Sequence, residues 1–488
     1  TMRKVLENQD NLEIKQAEIT DILTEDGKVI GVRTYSGASY KCKAAILCTG
    51  TYLKARCIYG EISNATGPNG LQAANYLTDS LKNLGIEMYR FKTGTPARID
   101  RRSIDFSVME EQCGDEFITP FCFDNSFVLE NKVKCYVTYT NEETHRIIRE
   151  NLHLSPMFRG DIKGTGARYC PSIEDKLTRF ADKERHQLFV EPMGTDTEEM
   201  YIQGFSTSLP TDVQYAMLRS LDGFQNAEIM RYAYAIEYDC ADPTQLSATL
   251  EFKDHPGLYG AGQFNGTSGY EEAAAQGLIA GINAARAAQG REPITLPRSG
   301  SYIGTLIDDL VTKGTHEPYR MMTSRSEYRL VLRQDNADER LMPRGRELGL
   351  VNDATWEKFL IRKAKKEAEI ERLETTTLSG SEQLNELLVS KGTSPLEGGI
   401  RIADLLRRPQ IDYASLAPFD VTRPDLPFEV VEKAEIEIKY AGYIKKQLAQ
   451  ANELRRLEKR MLPEDINYRE ITGLRLEAAE KLDKIRPV

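Results

Sequence analysis

The sequence predicts an α/β fold. One sheet is assembled from two distant stretches of chain, an α/β lobe is inserted between them, and a helical region follows. Three observations predict it. Early in the chain an apolar run without alternation, KAAILCTG, ends in Thr49-Gly50-Thr51. Much later a second short apolar run, PGLYGAG, leads through a glycine-rich turn into an alanine-rich helix. After about residue 300 strand signals thin out and helical periodicity takes over.

The elements follow in order. The chain opens in what reads as the end of a helix. Residues 12–51 read as strands, with Asp26-Gly27 as a hairpin turn between β-rich runs. The last of these runs, KAAILCTG, is predicted to be a strand covered on both faces. Gly50 then lets the backbone approach a ligand closely. Residues 66–98 read as a helix, a strand and the turn KTGTPAR, in which Lys92 and Arg98 flank a Gly-Pro pair. That pair of cations suits a phosphate or an anionic ring, or equally a solvated loop. Residues 99–240 are mixed and Pro-rich and read as a separate α/β lobe. Residues 256–290 give a strand, a glycine turn and a helix starting near Tyr270. From 300 onward the chain is helical. Arg423-Pro424 to Pro427 marks a break, and the next helix, about 429–461, sets Ile436, Tyr440, Ile444, Leu448, Ala451 and Leu454 at spacings of three and four.

Composition bounds the function. The 488 residues suffice for two or three domains. No run of about 18 apolar residues occurs, so no membrane span is expected. The polar N-terminus lacks the apolar core of a signal peptide. Eight cysteines without a CxxC pair point to free thiols in a reducing compartment, and a cytoplasmic protein is expected. Five scattered histidines without HxH or HxxxH spacing give no metal site. The net charge of −10 argues against a globally basic nucleic-acid binder but leaves room for a local basic face.

Three stretches carry candidate chemistry. Gly260-Ala261-Gly262, with Gly266 and Gly269 before the helix, would offer backbone N–H groups to a phosphate or an anionic ring; the plain alternative is a tight strand-to-helix connection. No GK[ST] follows, so this is not a P-loop. In GARYCPSIEDK, Pro171 fits the first helical position, which makes Cys170 the N-cap; the alternative cap is Ser172 with Asp175 as its box partner. Either way a thiol stands at the positive end of a helix near Arg168, which favours thiolate. A thiolate can add to a pyrimidine C6 and turn C5 into a carbon nucleophile; the plain alternative is a half-buried structural cysteine. For nucleic acid, Arg325, Arg329 and Arg333 are spaced by four, with Tyr319 and Tyr328 interleaved. Between Lys439 and Arg460 seven cations face only Glu453 and Glu458.

AGQFNGTSGYEEAAAQGLIAGINA (261–284) and RYCPSIEDK (168–176) resemble the two signature segments of the MnmG (GidA) family. KTGTPAR, YIQGFSTSLPTDVQ, YAIEYD and EPYRMMTSRSEYRLVLRQDNADERL fit the same family in the same order, so the resemblance covers essentially the whole chain. It implies a two-dinucleotide-binding-domain flavoprotein with a discontinuous Rossmann-like FAD domain at 1–97 and 241–300. An inserted α/β domain at 98–240 would hold an NADH site, and a helical region at 301–488 would bind tRNA and a partner. The implied activity is addition of a carboxymethylaminomethyl or aminomethyl group to C5 of the wobble uridine of tRNA. FAD, NADH and methylenetetrahydrofolate would serve it, with glycine or ammonium as amine, in a homodimer working with the GTPase MnmE.

The resemblance makes Cys170 catalytic. It places FAD at Gly262, Gln263 and the backbone of Glu18, which pairs with the adenine. It places the nicotinamide dinucleotide at Gly166, Ala167, Arg168, Tyr169, Cys170, Pro171, Ser172, Ile173, Glu174, Asp175, Lys176, Leu177, Thr178, Arg179 and Phe180. The family's N-terminal strand, its dinucleotide fingerprint and an upstream catalytic cysteine have no counterpart here, and the last helical segment ends early. The chain is therefore expected to be a fragment with weakened FAD affinity. Ala167 stands where the family more often has proline, and a family serine that helps hold FAD falls near Ala74. The rival readings are a folate- and FAD-dependent tRNA uridine methyltransferase, a flavin oxidoreductase of a small acid, and a non-catalytic RNA-binding scaffold. The long helical region and the YCPSIEDK segment weigh against the first, and the basic helix against the second.

Overall fold

A computed structural model describes residues 2–123, 129–169, 171–458, 461–463 and 465–486. It divides into two compact units, one of residues 1–298 and 302–325, the other of 299–301 and 326–488.

In the first unit, α1 (Met2–Glu7) buries no residue. Strands β1 (Ile19–Glu25), β2 (Lys28–Thr34) and β3 (Ser39–Lys41) form an antiparallel meander. Asp26 and Gly27 turn between β1 and β2 at φ of 50° and 78°, the left-handed geometry that an Asp-Gly hairpin demands. Strand β4 (Ala45–Leu47) pairs in parallel with β16 (Leu258–Gly260), so the two distant apolar runs do meet. The expectation that β4 is covered on both faces is not met. β4 and β16 form a sheet of only two strands, and Ile46 stays 36% exposed.

A five-stranded sheet runs in the order β11 (Thr165–Gly166), β7 (Met88–Thr95), β15 (Tyr234–Ala241), β5 (Arg56–Tyr59) and β6 (Ile62–Asn64). Strand β15 is buried along nearly its whole length and is in register with β7 over all eight of its residues. The helix α2 (Leu77–Asn83) buries Leu77 and Leu81.

The inserted lobe is an antiparallel sheet of β14 (Ile229–Arg231), β8 (Arg98–Asp100), β13 (Glu199–Gln203), β12 (Gln187–Pro192), β10 (Cys135–Tyr139) and β9 (Glu110–Gln112). Helices α3 (Glu142–Glu150), α4 (Ile173–Arg179) and α5 (Thr211–Arg219) contribute Ile148, Ile173, Leu177 and Met217 to its core, against Ile99, Leu188, Val190 and Met200 from the strands. Helix α6 (Tyr270–Ala288) starts where the sequence predicts. Helix α7 (Tyr302–Asp308) is followed by a π-helical turn, Asp309–Lys313, and Leu306, Leu310 and Tyr319 pack with Ala275 of α6.

The second unit contains α8 (Ala337–Glu347), α9 (Asp353–Thr375), α10 (Glu382–Ser390), α11 (Ile402–Leu406), α12 (Phe428–Glu458) and α13 (Leu476–Ile485). Leu373, Leu384, Leu388, Leu405, Leu406 and Ile438 form its core. Buried ion pairs supplement it: Lys366 reaches Glu339 at 2.7 Å and Glu437 at 2.6 Å, and Arg372 joins Glu369 and Asp420. The break at 423–427 and the helix after it lie where the sequence puts them. The apolar stripe does not. Val430, Ala434 and Ile438 are buried, whereas of the predicted positions only Ala451 is buried and Tyr440, Leu448 and Leu454 are exposed. The predicted stripe starts two residues off the buried one, and two residues is a turn of about 200° around a helix. Among the described residues no helix is long and apolar enough to cross a membrane.

One buried pair makes the lobe sensitive to acid. His145 and His186 stack loosely at 5.6 Å between ring centres. Thr140 Oγ1 lies 2.7 Å from His145 Nε2 and accepts the backbone N–H of His186 at 2.8 Å. Burial pushes both imidazoles below their ordinary value of 6.5; His186 and Arg149 add to the effect at His145, and Lys176 and Lys183 at His186. Below pH 6.5 the unfolded chain therefore binds protons that the folded lobe resists, so stability falls as pH falls. The thermal midpoint should drop between pH 7 and pH 5, and His186→Gln should flatten that slope relative to wild type, read by circular dichroism melts across the range.

Candidate functional site

The parallel pairing of β4 with β16 brings two loops together. Leu47 C=O accepts the N–H of Ala261 at 3.0 Å, one residue beyond the last paired strand position. Past that point the chains run on as Thr49-Gly50-Thr51 and Gly262-Gln263. A Cβ on Gly50 would lie 3.7 Å from Gln263 Oε1, and Gly50 and Gly262 have φ of 55° and 70°. Gly50 is half-buried, and Ala261 and Gly262 are buried. Beside them, Thr49 Oγ1 and the Tyr238 hydroxyl are buried without a hydrogen-bond partner. Burial pushes the Tyr238 phenol far above its usual value, and the Gln263 side chain approaches it without completing a well-formed bond. Helix α6 begins at Gly269 with no capping side chain. Two unmet hydroxyl groups, two glycines in left-handed geometry and a helix start without a capping side chain fit a planar, hydrogen-bonding, negatively charged group.

The turn is held from behind. Asn265 donates to Gln276 at 2.9 Å, Gln276 donates to Thr267 at 3.1 Å, and Tyr319 N–H donates to Gly266 C=O at 2.9 Å. Glu272 Oε1 accepts the N–H of Met321 at 2.7 Å. Glu18 lies elsewhere on the surface of this unit, at the start of β1. Its carbonyl accepts Tyr35 N–H at 2.9 Å, and its carboxylate accepts Gln72 Nε2 at 2.8 Å and Asn75 N–H at 3.0 Å.

The segment Gly166 to Phe180 begins in β11, where Gly166 lies alongside Lys92 and a Cβ would meet Lys92 Cε at 2.7 Å. Arg168 pairs with Glu317 at 3.3 Å, and Tyr169 is half exposed. Cys170 lies outside the described residues. Helix α4 begins at Ile173, not at Pro171. Its N-cap is Ser172, whose Oγ accepts Asp175 N–H at 3.2 Å while Asp175 Oδ2 accepts Ser172 N–H at 3.3 Å. The reciprocal capping box satisfies two orphan amides, whereas a Cys cap satisfies none so well. Of the remaining residues, Ile173, Glu174 and Leu177 point into the lobe core and Phe180 is exposed. Lys176 donates to Gly204 C=O at 2.9 Å. Burial raises the Glu174 carboxyl above its ordinary value, against bonds from Thr207 Oγ1 at 2.9 Å and Ser208 N–H at 3.2 Å.

The KTGTPAR cations are internal. Lys92 Nζ lies 3.2 Å from Met157 Sδ, and Arg98 caps Pro96 C=O at 2.7 Å while stacking on Tyr201 at 4.5 Å. The arginine series is not a helical face. Residues 323–325 form a short 3₁₀ turn, and residues 326–333 are turns and bends. Arg325 stacks on Tyr319 at 4.1 Å, and Arg333 forks onto Asp335 with two bonds of 2.9 Å. Tyr319 and Tyr328 are 3% and 7% exposed, so neither presents a ring to a base. The second half of α12 keeps its promise better. Tyr440, Tyr443, Lys445 and Lys446 are all exposed, and no acid lies between Lys439 and Glu453. Sequence reasoning passed over Glu237, buried in YAIEYD; two acids, Glu237 and Asp239, set among the apolar and aromatic residues of that strand were the signal.

Comparison with known proteins places these features in a family. The pattern described as glucose inhibited division protein A matches residues 1–292. Two described as the tRNA modifying enzyme MnmG/GidA C-terminal helical domain and C-terminal helical bundle match residues 353–448 and 450–488. The tRNA uridine 5-carboxymethylaminomethyl modification enzyme MnmG of Lachnoclostridium phytofermentans is 58% identical over 488 residues, covering all of this chain and 78% of that protein. Its namesake in Caldicellulosiruptor saccharolyticus is 59% identical over 486 residues, again with 78% of its length covered. A crystal structure of Aquifex aeolicus GidA superposes with a TM-score of 0.86 at 43% identity, over all of this chain and 78% of that one.

The capping box gives a direct test of the local geometry at α4. Ser172→Ala should lower stability by about 1 kcal/mol, read as a reduced urea midpoint with unchanged slope.

Proposed function

The chain belongs to the MnmG/GidA family of tRNA-modifying enzymes, and from that membership we propose that it installs a carboxymethylaminomethyl or aminomethyl group at C5 of the wobble uridine of tRNA. The identity of 58% over all 488 residues with the Lachnoclostridium phytofermentans enzyme carries the activity. The meeting of Thr49-Gly50-Thr51 with Gly262-Gln263 supports a flavin there, with Thr49, Tyr238 and Gln263 as its hydrogen-bonding neighbours. FAD, when bound, supplies the redox chemistry that moves a one-carbon unit from methylenetetrahydrofolate to the uridine, with NADH as reductant. Glycine or ammonium supplies the nitrogen. The Glu18 backbone serves the adenine end.

In this reading the Cys170 thiolate adds to C6 of the uridine, which makes C5 the nucleophile; once C5 has lost its proton, the thiolate leaves again. The segment Gly166–Phe180 is the NADH site, through its exposed members Arg168 and Tyr169 and the start of α4 rather than through Ile173, Glu174 or Leu177. The helical unit receives tRNA along the second half of α12 and meets the GTPase MnmE. The enzyme works as a homodimer in the cytoplasm, where its tRNA is.

Two measurements test the reading. In cells lacking their own enzyme, the wild-type gene should restore modified wobble uridine, quantified by mass spectrometry of digested tRNA. Cys170→Ser should restore none while still holding flavin; full restoration by Cys170→Ser would move the nucleophile elsewhere. For tRNA binding, Lys445→Gln with Lys446→Gln should reduce the slope of log affinity against log salt by about 1.4–1.8, measured by filter binding at several salt concentrations.

A further inference from the structure

Glu237 lies in the middle of β15 with its side chain 1% exposed, and four donors converge on it. The backbone N–H groups of Lys163 and Gly164 each donate to Oε1 at 2.6 Å. Arg56 donates to Oε2 at 2.8 Å, and Arg90 Nε stands 3.6 Å from the same oxygen. Burial opposes the charge on this carboxyl, but the amides of Gly164 and Lys163 and the guanidinium of Arg56 outweigh it and hold the group below the ordinary glutamate value.

The residues it grips belong to no strand. They form the loop that enters β11 and, immediately beyond, the segment Gly166–Phe180. The same loop is fastened twice more, by Arg56 to Asp161 C=O at 3.1 Å and by Arg159 to Gly60 C=O at 2.8 Å. It lies flat on β7: a Cβ on Gly164 would meet the Phe91 carbonyl at 2.8 Å. At the far end Ile173 N–H donates to Ser206 C=O at 2.8 Å, and Glu174 takes Thr207. Between these anchors Arg168 and Tyr169 are exposed.

We propose that Glu237 is a positioning residue: by clamping the Lys163 and Gly164 amides it fixes the backbone entering Gly166–Phe180, so that this segment meets the nicotinamide dinucleotide in one geometry. The proposal rests on the reading of that segment as the NADH site. Glu237 touches no reactant itself. Its oxygens are spent on the loop and the two arginines.

The test uses the flavin-loaded enzyme and two variants. Glu237→Asp keeps the charge that Arg56 and Arg90 need but draws the carboxylate back by one methylene, too far to reach both amides. Arg168→Ala reports on the segment itself. Hydrogen exchange should show the Lys163 and Gly164 amides protected in wild type and at least about tenfold faster in Glu237→Asp, with β7 and β15 unchanged. In stopped-flow flavin reduction Glu237→Asp should raise the NADH concentration for half-maximal rate about tenfold, with flavin content and limiting rate little changed. Arg168→Ala should raise it too. If Arg168→Ala raises it and Glu237→Asp does not, the clamp is irrelevant and the proposal falls while the site reading stands. If neither raises it, the site reading falls and takes the proposal with it. Unprotected Lys163 and Gly164 amides in wild type overturn the clamp whether or not Glu237→Asp folds.

Discussion

The parallel contact of β4 with β16 is the constraint on which the first unit depends. It joins Ala45–Leu47 to Leu258–Gly260 across more than two hundred residues of intervening chain. Closing so long a loop is not expensive in proportion, since the entropic cost grows only with the logarithm of length. Three residue pairs cannot meet it alone. The long antiparallel pairing of β7 with β15 does much of the work, because it returns the chain from the inserted lobe to the place where it left. Everything the lobe contains is therefore held on two adjacent stalks, and the loops after β4 and β16 are held at a fixed separation by strands rather than by each other.

That arrangement leaves two buried hydroxyls without a partner close to the loops after β4 and β16. Thr49 lies just past the end of β4, whereas Tyr238 sits inside β15, paired with Phe91 of β7 and packed with it. A fold that wished only to be stable would give both a partner, since a buried hydroxyl without a partner costs about 1–3 kcal/mol. Glu237, the residue before Tyr238 in the same strand, shows the opposite treatment. A charge buried at 1% exposure is supplied with donors from two amides and two arginines. The contrast separates a hydroxyl left without a partner from a carboxylate whose partners are all internal.

Much of this was legible in the sequence where the signal was local. Asp26-Gly27, the glycines of PGLYGAG, the helix start at Tyr270 and the prolines around 424 each act through their own backbone angles, and each element stands where those angles put it. The readings that failed depended on neighbours. Arg325, Arg329 and Arg333 have helical spacing, but Arg325 is drawn to the Tyr319 ring and Arg333 to Asp335, and the backbone follows them into turns. The α12 stripe had two possible faces of similar apolarity, and packing against the rest of the helical unit chose Val430, Ala434 and Ile438. At the candidate site, Gly262 and Gln263 stand where the glycine turn predicts. Ser172 displaced the expected Cys170 cap because its hydroxyl and Asp175 can satisfy each other's amides. Glu237 was hidden because a carboxylate in a strand means nothing until the loop it holds is known.

Charge raises the last question, since a chain with net charge −10 is proposed to bind a polyanion. The answer lies in how the acids are used. Asp338, Glu339, Glu369, Asp420 and Glu437 are committed to Lys433, Lys366 and Arg372 within the helical unit, so their fields are largely cancelled at short range. Lys445 and Lys446 have no acid nearer in sequence than Glu437 and Glu453. At about 8 Å of screening length, a phosphate arriving at that stretch of α12 feels those lysines before it feels the whole. Net charge then governs solubility and long-range approach, while in the proposed reading binding is decided by a few exposed cations beside Tyr440 and Tyr443, on a helix whose other half is fixed by its own core.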